Sequence, residues 1–173
     1  MIKEKQLHWY VAYTRVNQEF LIKKKLDELG IENFLPREEQ VRDTPLGRKM
    51  IQVLLIHGMI FIHADKTTSF SLINEYSLNI VYLKDVEGRH SLIVPDKQME
   101  DFMFLLDFSP DGIEVLNKDL KRGDQVRVIK GPLQGLTGEL VRLRGHKRVV
   151  IRLDGVASIA TSYIPGSFLE KIE

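Results

Sequence analysis

Residues 119–138 read Asp-Leu-Lys-Arg-Gly-Asp-Gln-Val-Arg-Val-Ile-Lys-Gly-Pro-Leu-Gln-Gly-Leu-Thr-Gly, and the spacing of their glycines leaves the stretch few folds to choose from. A polar Gly123-Asp124 pair leads into a run in which Val126 and Val128 alternate with Arg127, the period of a half-buried strand. Gly131-Pro132 then turns the chain, and Gly135 and Gly138 punctuate the strand that follows. Such a pattern predicts the opening of a very small β-barrel. Further short strands are expected over residues 138–144, 147–153, 156–161 and 168–172, at the roughly ten-residue spacing of a five-stranded SH3-like barrel. A domain of that size sits near the lower limit for folding alone, so Val126, Val128, Leu140, Val150 and Ile151 are expected to form its core.

The first 108 residues have a different texture. A strand is expected over residues 7–13, with Trp9, Val11 and Tyr13 on one face and Tyr10 and Ala12 on the other. A helix follows over residues 17–30, with Asn17 as N-cap, Gly30 as stop and Ile22, Leu26 and Leu29 on its apolar face. Residues 34–42 read as a strand, 43–49 as a hairpin loop, and 50–63 as one long strand bent near Gly58. A short helix over residues 68–76, a strand over 80–86, a Glu87-Gly88 turn and an extended segment over 92–95 complete the pattern. The last helix, from Asp96, is expected to bury Met99, Phe102, Met103 and Leu106. Alternating helices and strands with local hairpins predict an α+β domain with helices packed on a mainly antiparallel sheet. The domains are therefore drawn as residues 1–108 and 119–173, with 109–118, which hold Pro110 and Gly112, as the linker.

Charge separates the same halves. Residues 1–108 hold 14 Lys and Arg against 16 Asp and Glu, whereas residues 119–173 hold 10 against 6. The basic second half permits a nucleic-acid or ribosomal partner. With no cysteine, neither a disulfide framework nor a cysteine-ligated metal is available. The segment Met1-Ile-Lys-Glu-Lys-Gln lacks a signal-peptide pattern, and nowhere do 18 uncharged apolar residues run together, so a soluble cytoplasmic protein with no membrane partner is expected.

Residues 119–138 resemble a KOW motif, carried here by Gly123, Asp124, Val126, Gly131, Pro132 and Gly138. The segment His8-Trp9-Tyr10-Val11 resembles the first strand of the NusG N-terminal domain. Both, in this order and about 110 residues apart, resemble the NusG family of transcription elongation factors across nearly the whole chain. That resemblance implies an N-terminal domain resting an apolar patch on the clamp helices of bacterial RNA polymerase, and a KOW domain that recruits other partners. It implies no cofactor, no metal and no catalysis. By position it places polymerase contacts at Trp9, Tyr13, Met59, Phe61, Ile80 and Tyr82, and contacts with non-template DNA or nascent leader RNA at Arg15, Gln18 and Lys23. Thr67, Thr68 and Ser69 fall where specialised paralogues touch the polymerase gate loop.

Two departures from the family pattern carry information. Ile56-His57 replaces a Phe-Pro pair, as in divergent paralogues, and Asp154 replaces the aromatic that anchors a ribosomal protein and a termination factor on the KOW domain. With the loop over residues 41–50, these features look most like the UpxY-type paralogues of capsule loci. That implies an operon-specific antiterminator acting in the leader of a capsular polysaccharide operon.

Two other classes are compatible with parts of the chain. A KOW-type RNA-binding or ribosome-associated module would use Lys130, Arg142, Arg144, Lys147 and Arg148 as phosphate contacts. An enzyme finds little support: the five histidines form no His-x-x-x-His pair, and no glycine-rich phosphate loop or nucleophile elbow follows a strand.

Overall fold

The computed structural model describes residues 4–108, 113–116 and 122–173, so most of the expected linker lies outside the described residues. Two compact units emerge, Met1–Pro95 and Asp96–Glu173.

The first unit begins with β1 (His8–Tyr13) and α1 (Glu19–Glu28). Next come β2 (Glu32–Phe34), β3 (Arg37–Thr44), β4 (Gly47–Leu54) and β5 (Met59–Ala64). The unit closes with α2 (Lys66–Asn74), β6 (Val81–Tyr82) and β7 (Ile93–Val94). Its main sheet is antiparallel in the order β2-β5-β1-β6, with β7 also pairing β1, while β3 and β4 form a separate hairpin. One face buries Tyr10, Ala12, Ile60 and Ile62 with Ile22 and Leu26 of α1 and Leu72 of α2.

Local chemistry explains most boundaries. Gly30, at φ +69°, ends α1 in the left-handed turn that favours glycine, with the Ile31 N–H reaching back to the Leu26 carbonyl. Asn17 does not cap this helix. It takes φ +70° within the turn after β1, and Gln18 occupies the N-cap position without a side-chain bond. The Asp65 carboxylate caps α2 by accepting from the Thr68 N–H and hydroxyl, so the helix starts earlier than its apolar residues suggest. The long strand expected over residues 50–63 is two strands, because residues 55–58 break the ladder and Gly58 sits at φ +71°.

The second unit starts with α3 (Asp96–Phe108), a helix the sequence pattern assigns to the first domain. It buries Met99, Phe102 and Leu105, while Met103 and Leu106 are only half-buried. Six strands follow: β8 (Glu114–Leu116), β9 (Asp124–Val128), β10 (Thr137–Leu143), β11 (His146–Leu153), β12 (Ala157–Ala160) and β13 (Leu169–Lys171). They form one antiparallel sheet in the order β13-β9-β10-β11-β12-β8. The five expected strands are all in this sheet, with one more added, and among the described residues no pairing joins β13 to β8 to close it into a barrel. The added strand, β8, lies within the segment expected to be linker.

Val149, Val150 and Ile151 are buried in succession, which requires cover on both faces of β11, and α3 packs against that strand. Of the expected core, Val126, Val128, Val150 and Ile151 are buried and Leu140 is half-buried. No helix among the described residues is long and apolar enough to cross a membrane.

Candidate functional site

Pairing across the first sheet sorts the candidate residues onto two faces. Tyr13 lies opposite Met59 on one side and opposite Val81 on the other, so the three form a row across β5, β1 and β6. Exposure rises along it, from 5% at Met59 through 39% at Tyr13 to 66% at Val81. Behind it lie the pairs Val11–Phe61 and Trp9–His63, with Val11, Phe61 and Trp9 buried. The His63 ring stacks on Trp9 at a centroid distance of 4.5 Å, and its Nδ1 lies 2.6 Å from the Glu32 carboxylate.

Ile80 and Tyr82 belong to the opposite face. Both are buried in the core under α1 and α2, and the Tyr82 hydroxyl donates to the Ser69 carbonyl at 2.8 Å. Burial pushes the Tyr82 phenol far above its usual range and raises Tyr10 in the same way. The expected six-residue docking set is thus not one surface: Val81 presents the exposed apolar side chain, and its neighbours on either side point inward.

A distant carboxylate fixes the end of this row. Glu19 opens α1 and is 1% exposed, and its Oε1 accepts from the Gly58 N–H at 2.8 Å. The Gly58 carbonyl accepts from the Thr14 N–H at 2.9 Å, joining the end of β1 to the residue before Met59. A Cβ on Gly58 would lie 3.2 Å from the Thr14 carbonyl oxygen. Sequence reading missed Glu19; its only local signal was an acid in the first turn of a helix, usually explained by the helix dipole.

The three nucleic-acid candidates differ in availability. Arg15 and Gln18 are exposed, and no side-chain partner holds them among the described residues. Lys23 is half-buried and engaged, donating to Asn33 at 3.0 Å and to Asp27 at 3.4 Å. Asn33 also donates to Asp27 at 2.7 Å, and that bond, with Lys23 nearby, holds the Asp27 carboxyl below its usual range.

At the start of α2, Thr68 is committed to Asp65, and the buried Ser69 hydroxyl donates to the Lys66 carbonyl at 2.7 Å. The exposed Thr67 hydroxyl has no hydrogen-bond partner among the described residues. Beside it opens a cleft of about 300 Å³ lined by Tyr10, Lys66, Phe70, Lys84 and Arg89. Neither Lys66 nor Lys84 meets a carboxylate among the described residues.

In the second unit the glycine motif has a steric reason. A Cβ on Gly123 would collide with the Leu140 carbonyl, and one on Gly138 would lie 2.5 Å from the Val150 carbonyl oxygen. Gly131 turns the chain at φ +85°, with the Phe168 ring against it. Val126 is buried, Asp124 and Pro132 are exposed, and Asp124 lies 3.8 Å from the Lys171 ammonium. The buried Glu139 pairs with Arg152 at 2.6 Å and accepts from the Gly123 N–H at 3.1 Å. Asp154 is held at 2.9 Å by Arg122. No grouping of His, Asp and Glu able to hold a metal occurs among the described residues.

Comparison with known proteins agrees with this architecture. The family model described as "Transcription termination factor nusG" matches residues 7–103. Among solved structures, "Domain interaction in Thermotoga maritima NusG" aligns over 97% of this chain and 98% of that one, at 18% identity and a TM-score of 0.50, a likeness of fold. "Crystal Structure of MjSpt4:Spt5 complex conformation B" aligns over 95% and 97% at 13% identity, with a TM-score of 0.29 that bears no weight. No curated protein matches the chain.

Proposed function

This chain belongs to the NusG family of transcription factors, and from that premise we propose that it binds transcribing RNA polymerase through the Met59–Tyr13–Val81 row and favours continued elongation. The row carries the reading: it is apolar and solvent-facing at Tyr13 and Val81, and it is anchored by buried neighbours, as a surface for a partner helix needs to be. The mechanism is binding rather than catalysis. A second contact across the cleft, through Arg15 and Gln18 to the displaced DNA strand or the leader RNA, would let the protein favour one polymerase state over another. Differential affinity is what shifts such an equilibrium. Thr67, with Lys66 and Lys84 beside it, supplies the candidate gate-loop contact.

We read the second unit as a KOW-type, SH3-like domain. Asp154, occupied by Arg122 where the family places an aromatic anchor, argues against the usual ribosomal-protein and termination-factor contacts. More narrowly, the departures at Ile56-His57 and Asp154 support an operon-specific antiterminator of the UpxY type, acting in a capsular polysaccharide leader. A general elongation factor would act on every template.

The test is single-round transcription with cognate polymerase on leader and control templates, comparing wild type with Tyr13→Ala plus Val81→Ser. Readthrough on the leader alone, lost in the double variant at equal folded concentration, is the expected result. Full activity of the double variant would remove the docking row, and equal action on all templates would remove operon specificity.

A further inference from the structure

Four of the second unit's six arginines are neutralised within it, Arg127 and Arg142 being the exceptions among the described residues. Arg144 and Arg148 both pair with Glu114, at 2.9 and 2.7 Å, Arg152 pairs with Glu139, and Arg122 with Asp154. Arg142 and Lys147 have no carboxylate partner among the described residues, although they stand directly opposite each other across β10 and β11. Cross-strand partners project from the same face, and like charges in that position destabilise the ladder.

The hairpin that holds them turns tightly. Its two turn residues, Arg144 at φ +48° and Gly145 at φ +82°, are consecutive left-handed positions, the geometry of the tightest hairpin connection. Beside the cations, the exposed Tyr163 ring meets His146 edge to face, with centroids 5.8 Å apart. Arg142, Gly145, His146, Lys147, Tyr163 and Gly166 line a cleft of about 560 Å³.

We propose that this hairpin tip binds single-stranded nucleic acid, with Arg142 and Lys147 on successive phosphates and a base stacked on Tyr163. Unneutralised cations attract the backbone, and an aromatic face at the same concavity selects an unpaired base over a duplex. A purely acidic peptide would use the cations and leave the ring idle. The site also narrows the five basic residues of the sequence reading: Arg144 and Arg148 are occupied by Glu114, Lys130 follows β9 and is not part of the cleft lining, and His146 and Tyr163 join Arg142 and Lys147.

The experiment is fluorescence anisotropy of the full-length chain, without polymerase, over a salt series. The probes are single-stranded RNA and DNA of about 12 nucleotides and the corresponding duplex. The expected result is tighter binding of single strands than of duplex, with either sugar. Arg142→Ala plus Lys147→Ala lowers the slope of log K against log salt by about 1.4, the share of two phosphate contacts. Tyr163→Ala weakens binding at least about fivefold, whereas Tyr163→Phe retains it. Arg127→Ala plus Lys171→Ala, equal in charge and elsewhere on the sheet, changes affinity less than the hairpin pair. Arg142→Thr raises the urea midpoint, which separates lost binding from lost folding. Failure of wild type to bind overturns the proposal, as does equal affinity for duplex. A control pair as damaging as the hairpin pair, or an unaffected Tyr163→Ala, also overturns it.

Discussion

Replacing Glu19 tests whether a buried carboxylate holds the Met59–Tyr13–Val81 row in place. Its Oε1 accepts from the Gly58 N–H at 2.8 Å in a buried setting, across 39 positions of sequence. A hydrogen bond to a charged group contributes about 1.5–3 kcal/mol, and its loss leaves the amide without a partner. Glu19→Ala is therefore expected to cost about 1.5–3 kcal/mol, a large share of the stability of a unit this size. Glu19→Gln keeps one acceptor oxygen while giving up the charge and turning the other oxygen into an NH2 group, so a smaller loss of about 1 kcal/mol is expected. Trp9 is the chain's single tryptophan and lies buried against His63, so its fluorescence during urea unfolding reports the first unit. The alanine variant should lower the midpoint by about 1 M, given the usual slope for small domains. Amide exchange of Gly58 should accelerate in parallel. An alanine variant within about 0.5 kcal/mol of wild type, unchanged Gly58 protection, or a glutamine variant as damaged as alanine would refute the argument.

Three further outcomes are expected. Because burial raises the folded-state pKa of Tyr82, its contribution is whole below about pH 10 and is lost as pH rises beyond that; the fall in urea midpoint above pH 10 should be shallower in Tyr82→Phe. Gly138→Ala should cost about 1–3 kcal/mol or more by overpacking against the Val150 carbonyl, while Gly166→Ala, with open space around its Cβ, stays within about 0.5 kcal/mol in thermal melts. Asp65→Ala should cost about 1 kcal/mol by uncapping α2, whereas Thr67→Ala should leave stability unchanged and reduce readthrough in the transcription assay; a stability loss at Thr67 would make that residue structural.

Local chemistry made much of the fold legible in advance. β1, the stop of α1 at Gly30 and the strands of the second unit other than β8 follow from strand alternation, helical spacing and turn-forming glycines, all of which act within a few residues. The motif glycines at 123 and 138 were visible as a pattern, but their reason, carbonyls of strands 17 and 12 positions away, was not. Register decided the proposed docking face: Tyr13 pairs with Val81, which turns Ile80 and Tyr82 into the core, and a shift of one residue exchanges those faces. The partners of charge were equally nonlocal. Glu19 reaches Gly58, Glu114 occupies Arg144 and Arg148, and Arg142 with Lys147 is left unneutralised. Sequence by itself determined where most strands, helices and turns form, because those preferences are set by neighbouring residues. Tertiary structure alone decided which side chains face solvent and which charges remain free, because both depend on groups brought together from distant parts of the chain.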